Sequence, residues 1–245
     1  MNRSQKFLYL VTDSNLCKFH PLEKVVKESI LGGVQIVQYR EKHFNSSLHL
    51  DLVMRLRRIC ADHSILFLIN DSVELSLLVD ADGVHLGQGD LDVEEARTIL
   101  GNDKIIGLSI ETENDLIVVL EKDKKFNKKL NPKITKTNKN HSSESNLQSS
   151  LKDSFDLSRL VQYLGVSPIF PTPTKTDTKG SWGLEGIKKV RSMTDIPLVA
   201  IGGINIDNAA SILESGADSI AIVSAICSSP NPQLVARQLK TILTK

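Results

Sequence analysis

Cysteine is scarce in this chain of 245 residues: Cys17, Cys60 and Cys227 stand far apart and form no C-x-x-C pair. That spacing excludes a disulfide framework and gives no support to a cysteine zinc site. The six histidines show neither H-x-x-x-H nor H-E-x-x-H spacing, so a zinc hydrolase is not indicated, and any metal is expected to be held by oxygen. Long apolar runs are also missing. The polar start, Met1 to Lys6, is followed by an apolar stretch too short for a signal sequence or a membrane span, so the expectation is a cytoplasmic chain with reduced thiols. Charge of one sign is absent overall, with 30 basic against 29 acidic residues.

What is present is alternation. Short apolar or β-branched runs occur at Phe7 to Val11, Gln35 to Tyr39, Ile65 to Ile69, Gly83 to Leu86, Ile105 to Leu108, Tyr163 to Val166, Pro197 to Ile201 and Ser219 to Val223. Each reads as a strand buried on both faces. Between them, Leu22 to Leu31, Leu48 to Ala61, Val73 to Val79, Val93 to Leu100, Glu113 to Glu121, Leu184 to Ser192, Asn208 to Ser215 and Pro232 to Leu243 place apolar residues three and four apart. Asp92 and Asp207 are expected to start two of these helices, and Gly101 and Gly216 to end two. Eight strands close a (β/α)8 barrel, a TIM barrel, and the length suits one such domain over residues 1–245. A doubly wound open sheet would show the same alternation, and periodicity does not choose between them.

One segment breaks the rhythm. Asp123 to Asp153 carries eight Lys against three acidic residues, with much Asn and Ser, and reads as a flexible polar insert before the sixth strand. Its charge of +5 leaves about −4 on the remainder of a chain whose formal total is +1. No Arg and a single aromatic residue, Phe126, accompany its lysines, which favours a solvated loop over a nucleic-acid arm.

Chemistry in such a barrel sits on the loops after the strands. Those loops are polar here: Gln38-Tyr39-Arg40-Glu41-Lys42 after the second strand, Asn70-Asp71 after the third, Gln88-Gly89-Asp90 after the fourth and Gly107-Leu108-Ser109 at the fifth. Pro168 to Lys175 follows the sixth, Gly202-Gly203-Ile204 the seventh and Val223-Ser224 the eighth. In order and strand placement these motifs resemble the thiamine phosphate synthase family over nearly the whole chain apart from the insert. Two positions differ from its usual pattern: Ile110-Glu111-Thr112 where a His-Thr pair is common, and Ser167 where Gly is common.

The resemblance implies Mg²⁺ held by Asp71 and Asp90, which lie beyond neighbouring strands. Read without it, both are ordinary helix N-caps. It implies that Gln38, Tyr39, Arg40, Glu41, Lys42, Asn70, Ser109 and Lys175 bind a pyrimidine diphosphate, with Arg40, Lys42 and Lys175 stabilising the departing charge. Read locally, Arg40-Glu41-Lys42 is a solvated charge run. Thr172, Pro173, Thr174, Gly203, Val223 and Ser224 are implied for a thiazole phosphate, while a tight turn and a strand end are the plain alternatives. The implied activity is condensation of 4-amino-2-methyl-5-hydroxymethylpyrimidine diphosphate with a (carboxy)hydroxyethylthiazole phosphate, giving thiamine phosphate and diphosphate. Its partners are these two small molecules, with no nucleic acid and no membrane; homo-oligomerisation stays open. A thiazole tautomerase and a non-catalytic regulatory barrel are the competing readings, and retention of Arg40, Lys42, Asp71, Asp90 and Lys175 favours the synthase. On this reading the insert can be removed without loss of activity, and Trp182 either covers the site or packs in its loop.

Overall fold

The computed structural model describes residues 6–41, 46–130, 147–172 and 180–244. Eight parallel strands close on themselves in chain order, which decides for the barrel over the open sheet. They are β1 (Leu8–Val11), β2 (Ile36–Tyr39), β3 (Leu66–Asn70), β4 (Gly83–Leu86), β5 (Ile105–Ile110), β6 (Tyr163–Val166), β7 (Leu198–Ile201) and β8 (Ser219–Ile222). The seam is the β1–β8 pair, with Tyr9 in register with Ala221. Helices α1 (Leu22–Leu31), α2 (Ser46–Asp62), α3 (Val73–Leu78), α4 (Val93–Leu100), α5 (Glu113–Leu130), α6 (Leu147–Lys152), α7 (Gly183–Met193), α8 (Ala209–Glu214), α9 (Ser224–Cys227) and α10 (Pro232–Leu243) complete the described architecture. Among the described residues no helix is long and apolar enough to cross a membrane.

Side chains alternate along each strand. Tyr9, Gln38, Asn70, His85, Ser109 and Tyr163 turn inward, whereas Tyr39, one residue beyond Gln38, turns out and its hydroxyl meets His49 Nδ1 on α2 at 3.2 Å. The lower half of the barrel is apolar. Phe7 stacks on Phe155 at 5.6 Å between ring centroids, and Phe155 lies 6.3 Å below Tyr163.

The helix boundaries follow local chemistry. Ser72 caps α3 by accepting the Leu75 N–H, and Asp92 caps α4 by accepting that of Glu94. Thr112 and Asp115 cap α5 reciprocally: Thr112 Oγ1 accepts the Asp115 N–H, and Asp115 Oδ2 accepts that of Thr112. Asp207 does not cap α8 as expected. The helix starts at Ala209, and Asn208 turns its Oδ1 to the Asn205 N–H and its Nδ2 to the Gly203 carbonyl instead.

The ends of the polar segment differ from their expected character. Residues 123–130 continue α5, and Asp123 is buried, with Oδ1 accepting the Leu160 N–H at 3.0 Å. At the far end α6 packs under the barrel, with Leu151 fully buried and the Gln148 amide 3.2 Å from both Asp82 oxygens. Asp82 in turn accepts the Phe67 N–H. Composition concealed this because two residues, Leu151 and Phe155, supply the apolar surface that holds the segment. Beside them Arg97, 3% exposed, donates to the carbonyls of Gly101, Lys104 and Leu160 and to Gln162 Oε1. Burial lowers its pKa to about 10, which leaves it charged at neutral pH.

Leu151→Ala is expected to lower unfolding stability in urea by about 2 to 4 kcal/mol. An unchanged midpoint would show that α6 is not part of the packed base. Removal of 123–153 as a block is expected to destabilise the barrel for the same reason.

Candidate active site

A cavity of about 510 Å³ opens above Tyr163 at the C-terminal ends of the strands. Its floor is a chain of hydrogen bonds: the Tyr163 hydroxyl lies 2.9 Å from His85 Nδ1, and His85 Nε2 lies 2.9 Å from Ser109 Oγ. Burial pushes the Tyr163 phenol far above its ordinary range, so it is protonated. When it donates to Nδ1, the imidazole carries its proton on Nε2 and presents it to Ser109.

Two glycines make room for this floor. A Cβ on Gly107 of β5 would come within 2.1 Å of the Tyr163 ring, and one on Gly165 of β6 within 2.8 Å of His85 Cε1. The histidine had no motif to announce it. Its one sequence signal is a polar residue at an inward position of the apolar tetrad Gly83-Val84-His85-Leu86, in register with Asn70 and Gly107.

Around the wall, Gln38 Nε2 donates to Asn70 Oδ1 at 3.0 Å. Arg40 is set by Thr12, whose hydroxyl oxygen accepts the Arg40 N–H at 3.0 Å. Asp71 follows β3 in a left-handed conformation, φ 66°, which Asp tolerates better than most side chains, and its N–H donates to the His85 carbonyl. Asp90 Oδ2 accepts the Gly87 N–H at 2.6 Å, and Gln88 Nε2 donates to the Ser109 carbonyl at 2.6 Å. Neither acidic residue is a helix cap, since Ser72 and Asp92 fill those roles.

A second cavity of about 70 Å³ adjoins the first. It is bounded by Thr172, Gly202, Gly203, Ile204, Val223 and Ser224, and shares Val11, Arg40, Ser167, Ile201 and Ala221 with the larger one. Gly203 has φ 68°, and a Cβ there would lie 2.8 Å from that of Phe170, so glycine serves both the turn and the close approach.

The expected residues thus separate into two groups. Gln38, Arg40, Glu41, Asn70, Asp71, Asp90 and Ser109 line the larger cavity; Thr172, Gly203, Val223 and Ser224 line the smaller. Tyr39 lines neither with its side chain, which faces α2; burial, then the nearby Glu41 charge, push its phenol up to about 12. Lys42, Pro173, Thr174 and Lys175 lie outside the described residues. Trp182 packs in its loop, where Nε1 donates to the Ile110 carbonyl at 3.2 Å, and it does not line either cavity.

Comparison with known proteins matches the family model described as thiamine monophosphate synthase over residues 8–126 and 143–226. A thiamine-phosphate synthase from Leptospira biflexa is 46% identical over 226 residues, 92% of each chain. One from Albidiferax ferrireducens is 39% identical, covering 96% of this chain and 91% of that relative. Among solved structures, thiamine phosphate pyrophosphorylase from Pyrococcus furiosus superposes with a TM-score of 0.73 at 30% identity, covering 98% and 96% of the two chains.

Gly107→Ala is expected to displace Tyr163, lower stability by about 1 to 3 kcal/mol and break the His85 hydrogen bonds. Equilibrium unfolding and imidazole proton shifts in NMR would measure both, and a native His85 signal in that variant would refute the floor as described.

Proposed function

The chain belongs to the thiamine monophosphate synthase family, and we propose that its two adjoining cavities hold the two substrates of the thiamine-phosphate synthase reaction. The larger takes the pyrimidine diphosphate and the smaller the thiazole phosphate, in either its plain or its carboxylated form. The enzyme is a transferase of thiamine biosynthesis. Its free thiols suit the cytoplasmic setting proposed for it.

The observation that carries this reading is the charge of the larger cavity. Its described wall bears four carboxylates, Glu41, Asp71, Asp90 and Glu111, against one guanidinium, Arg40. A diphosphate ester settles beside them only with added positive charge. The donor set fits Mg²⁺: Asp71 and Asp90, both on the wall of the larger cavity, offer hard oxygen ligands. Two protein carboxylates, with water and phosphate oxygens completing the sphere, suit this ion. When bound, Mg²⁺ supplies neutralisation of the charge that builds on diphosphate.

The chain's own residues then bind, orient and exclude water. Arg40 offers paired N–H donors to phosphate oxygens, and from the sequence Lys42 and Lys175 are expected to add compact positive charge. Gln38, Asn70 and the His85-supported Ser109 hydroxyl present donors and acceptors to the aminopyrimidine. Backbone N–H groups around Gly203, Val223 and Ser224 take the thiazole phosphate. The C–O bond to diphosphate breaks with its electron pair leaving on oxygen, and the electron-rich aminopyrimidine stabilises the cation. The thiazole nitrogen lone pair forms the new C–N bond. That nucleophile needs no deprotonation, so the site requires no strong base; the shared wall holds both reactants in line.

Incubation with both substrates is expected to yield thiamine phosphate and diphosphate only with Mg²⁺. Asp71→Ala and Asp90→Ala are each expected to lower kcat/KM by about 100-fold or more while leaving thiazole phosphate binding, measured by calorimetry, intact. Near-normal rates in both variants, or turnover in excess chelator, would sink the assignment.

A further inference from the structure

The larger cavity holds a second tyrosine that the hydrogen bonds of its floor do not use. Tyr9, at an inward position of β1, is 1% exposed and lines the cavity on the arc of β7, β8 and β1. Its neighbours on that arc are apolar: Val11, Val199, Ile201 and Ala221. Its ring leans on that of Tyr163, with centroids 5.6 Å apart and planes at 59°. Tyr163 directs its own hydroxyl to His85, Gln38 is joined to Asn70, and Ser109 is joined to His85. The Tyr9 hydroxyl, by contrast, is buried and has no hydrogen-bond partner among the described residues. No other residue of the described cavity wall carries a buried side-chain polar atom in that condition. Burial, then Tyr163, push this phenol well above its ordinary value, so it is a neutral donor. A buried O–H left unpaired is costly, and such groups are rare in folded chains unless function retains them.

We propose that the Tyr9 hydroxyl is a specificity-determining donor of this site, which hydrogen-bonds a ring nitrogen of the aminopyrimidine. The inference rests on the reading of the larger cavity given above. A neutral heteroaromatic nitrogen only accepts, and a protonated phenol in an apolar setting is a donor matched to it. Val11, Val199 and Ala221 suit a flat ring and offer the O–H no competing side-chain acceptor. A ring with CH at the matching position would leave the phenol unpaired, so the contact selects by chemistry rather than by size. Tyr9 takes no part in bond breaking; it binds and orients the ring.

Tyr9→Phe removes the oxygen alone. In steady-state kinetics with Mg²⁺, KM for the pyrimidine diphosphate is expected to rise about 3- to 10-fold, with the effect in KM rather than kcat and KM for the thiazole phosphate unmoved. Without ligand, the variant is expected to unfold in urea at the wild-type midpoint or above it, because a buried unpaired group has gone. Pyrimidine diphosphate analogues with CH in place of each ring nitrogen in turn supply a second measurement. At one of these positions the wild type is expected to bind the analogue more weakly by a similar factor, and Tyr9→Phe is expected to lose that discrimination. A lowered midpoint with unchanged KM would make the hydroxyl part of the fold, and discrimination undiminished in Tyr9→Phe would place the contact elsewhere; either overturns the proposal. A wild-type chain that forms no thiamine phosphate would defeat the functional reading and this inference together, whereas an active wild type with either of those results defeats the role of Tyr9 alone.

Discussion

Tyr163 occupies the middle of the barrel because residue 107 has no Cβ; with one, the ring would meet it at 2.1 Å. Below Tyr163 the interior is closed by Phe155 and Phe7, and above it stands open polar space. The same side chain thus ends the hydrophobic filling and begins the site. Its hydroxyl, kept protonated by burial, has to find a partner, and His85 Nδ1 supplies one. The far side of that imidazole fixes Ser109. A buried aromatic is in this way converted into an oriented hydroxyl at the cavity floor.

Above the floor the wall is organised by charge and by backbone. Four carboxylates and one guanidinium give the described surface of the larger cavity an excess of negative charge, which on the proposed reading a divalent cation offsets when the diphosphate binds. The described wall of the smaller cavity carries no acidic residue, and glycine at positive φ brings main chain close to its space. Asn208 holds that turn through the Gly203 carbonyl. Arg40 belongs to both walls, so one cation stands at the junction of the two cavities.

The base of the barrel answers a different need. The polar segment before β6 contributes little apolar surface, yet Leu151 and Phe155 bring enough to cover the strand starts. Asp82, Asp123, Arg97 and Gln162 bind backbone groups there that would otherwise be buried unpaired.

How much of this was legible in the residues follows from the range of each interaction. Eight strands and the matching helices could be read because apolar periodicity is local, and α1, α4 and α10 match their expected limits. Motifs after strands keep their order along the chain, and some residues named from them, among them Gln38, Arg40, Asp71, Asp90, Gly203 and Ser224, line the two cavities. Eight strands led to the expectation of a closed barrel, although periodicity alone allowed an open sheet; the inward turn of His85 and the outward turn of Tyr39 were not legible. Closure depends on β1 finding β8, and the facing of a side chain depends on strand register, which pairing sets between residues far apart. Helix capping at Ser72 rather than Asp71 and the docking of α6 belong to the same class. Composition and pattern determined which elements would form; only packing of distant segments decided which atoms they would bring within reach of one another.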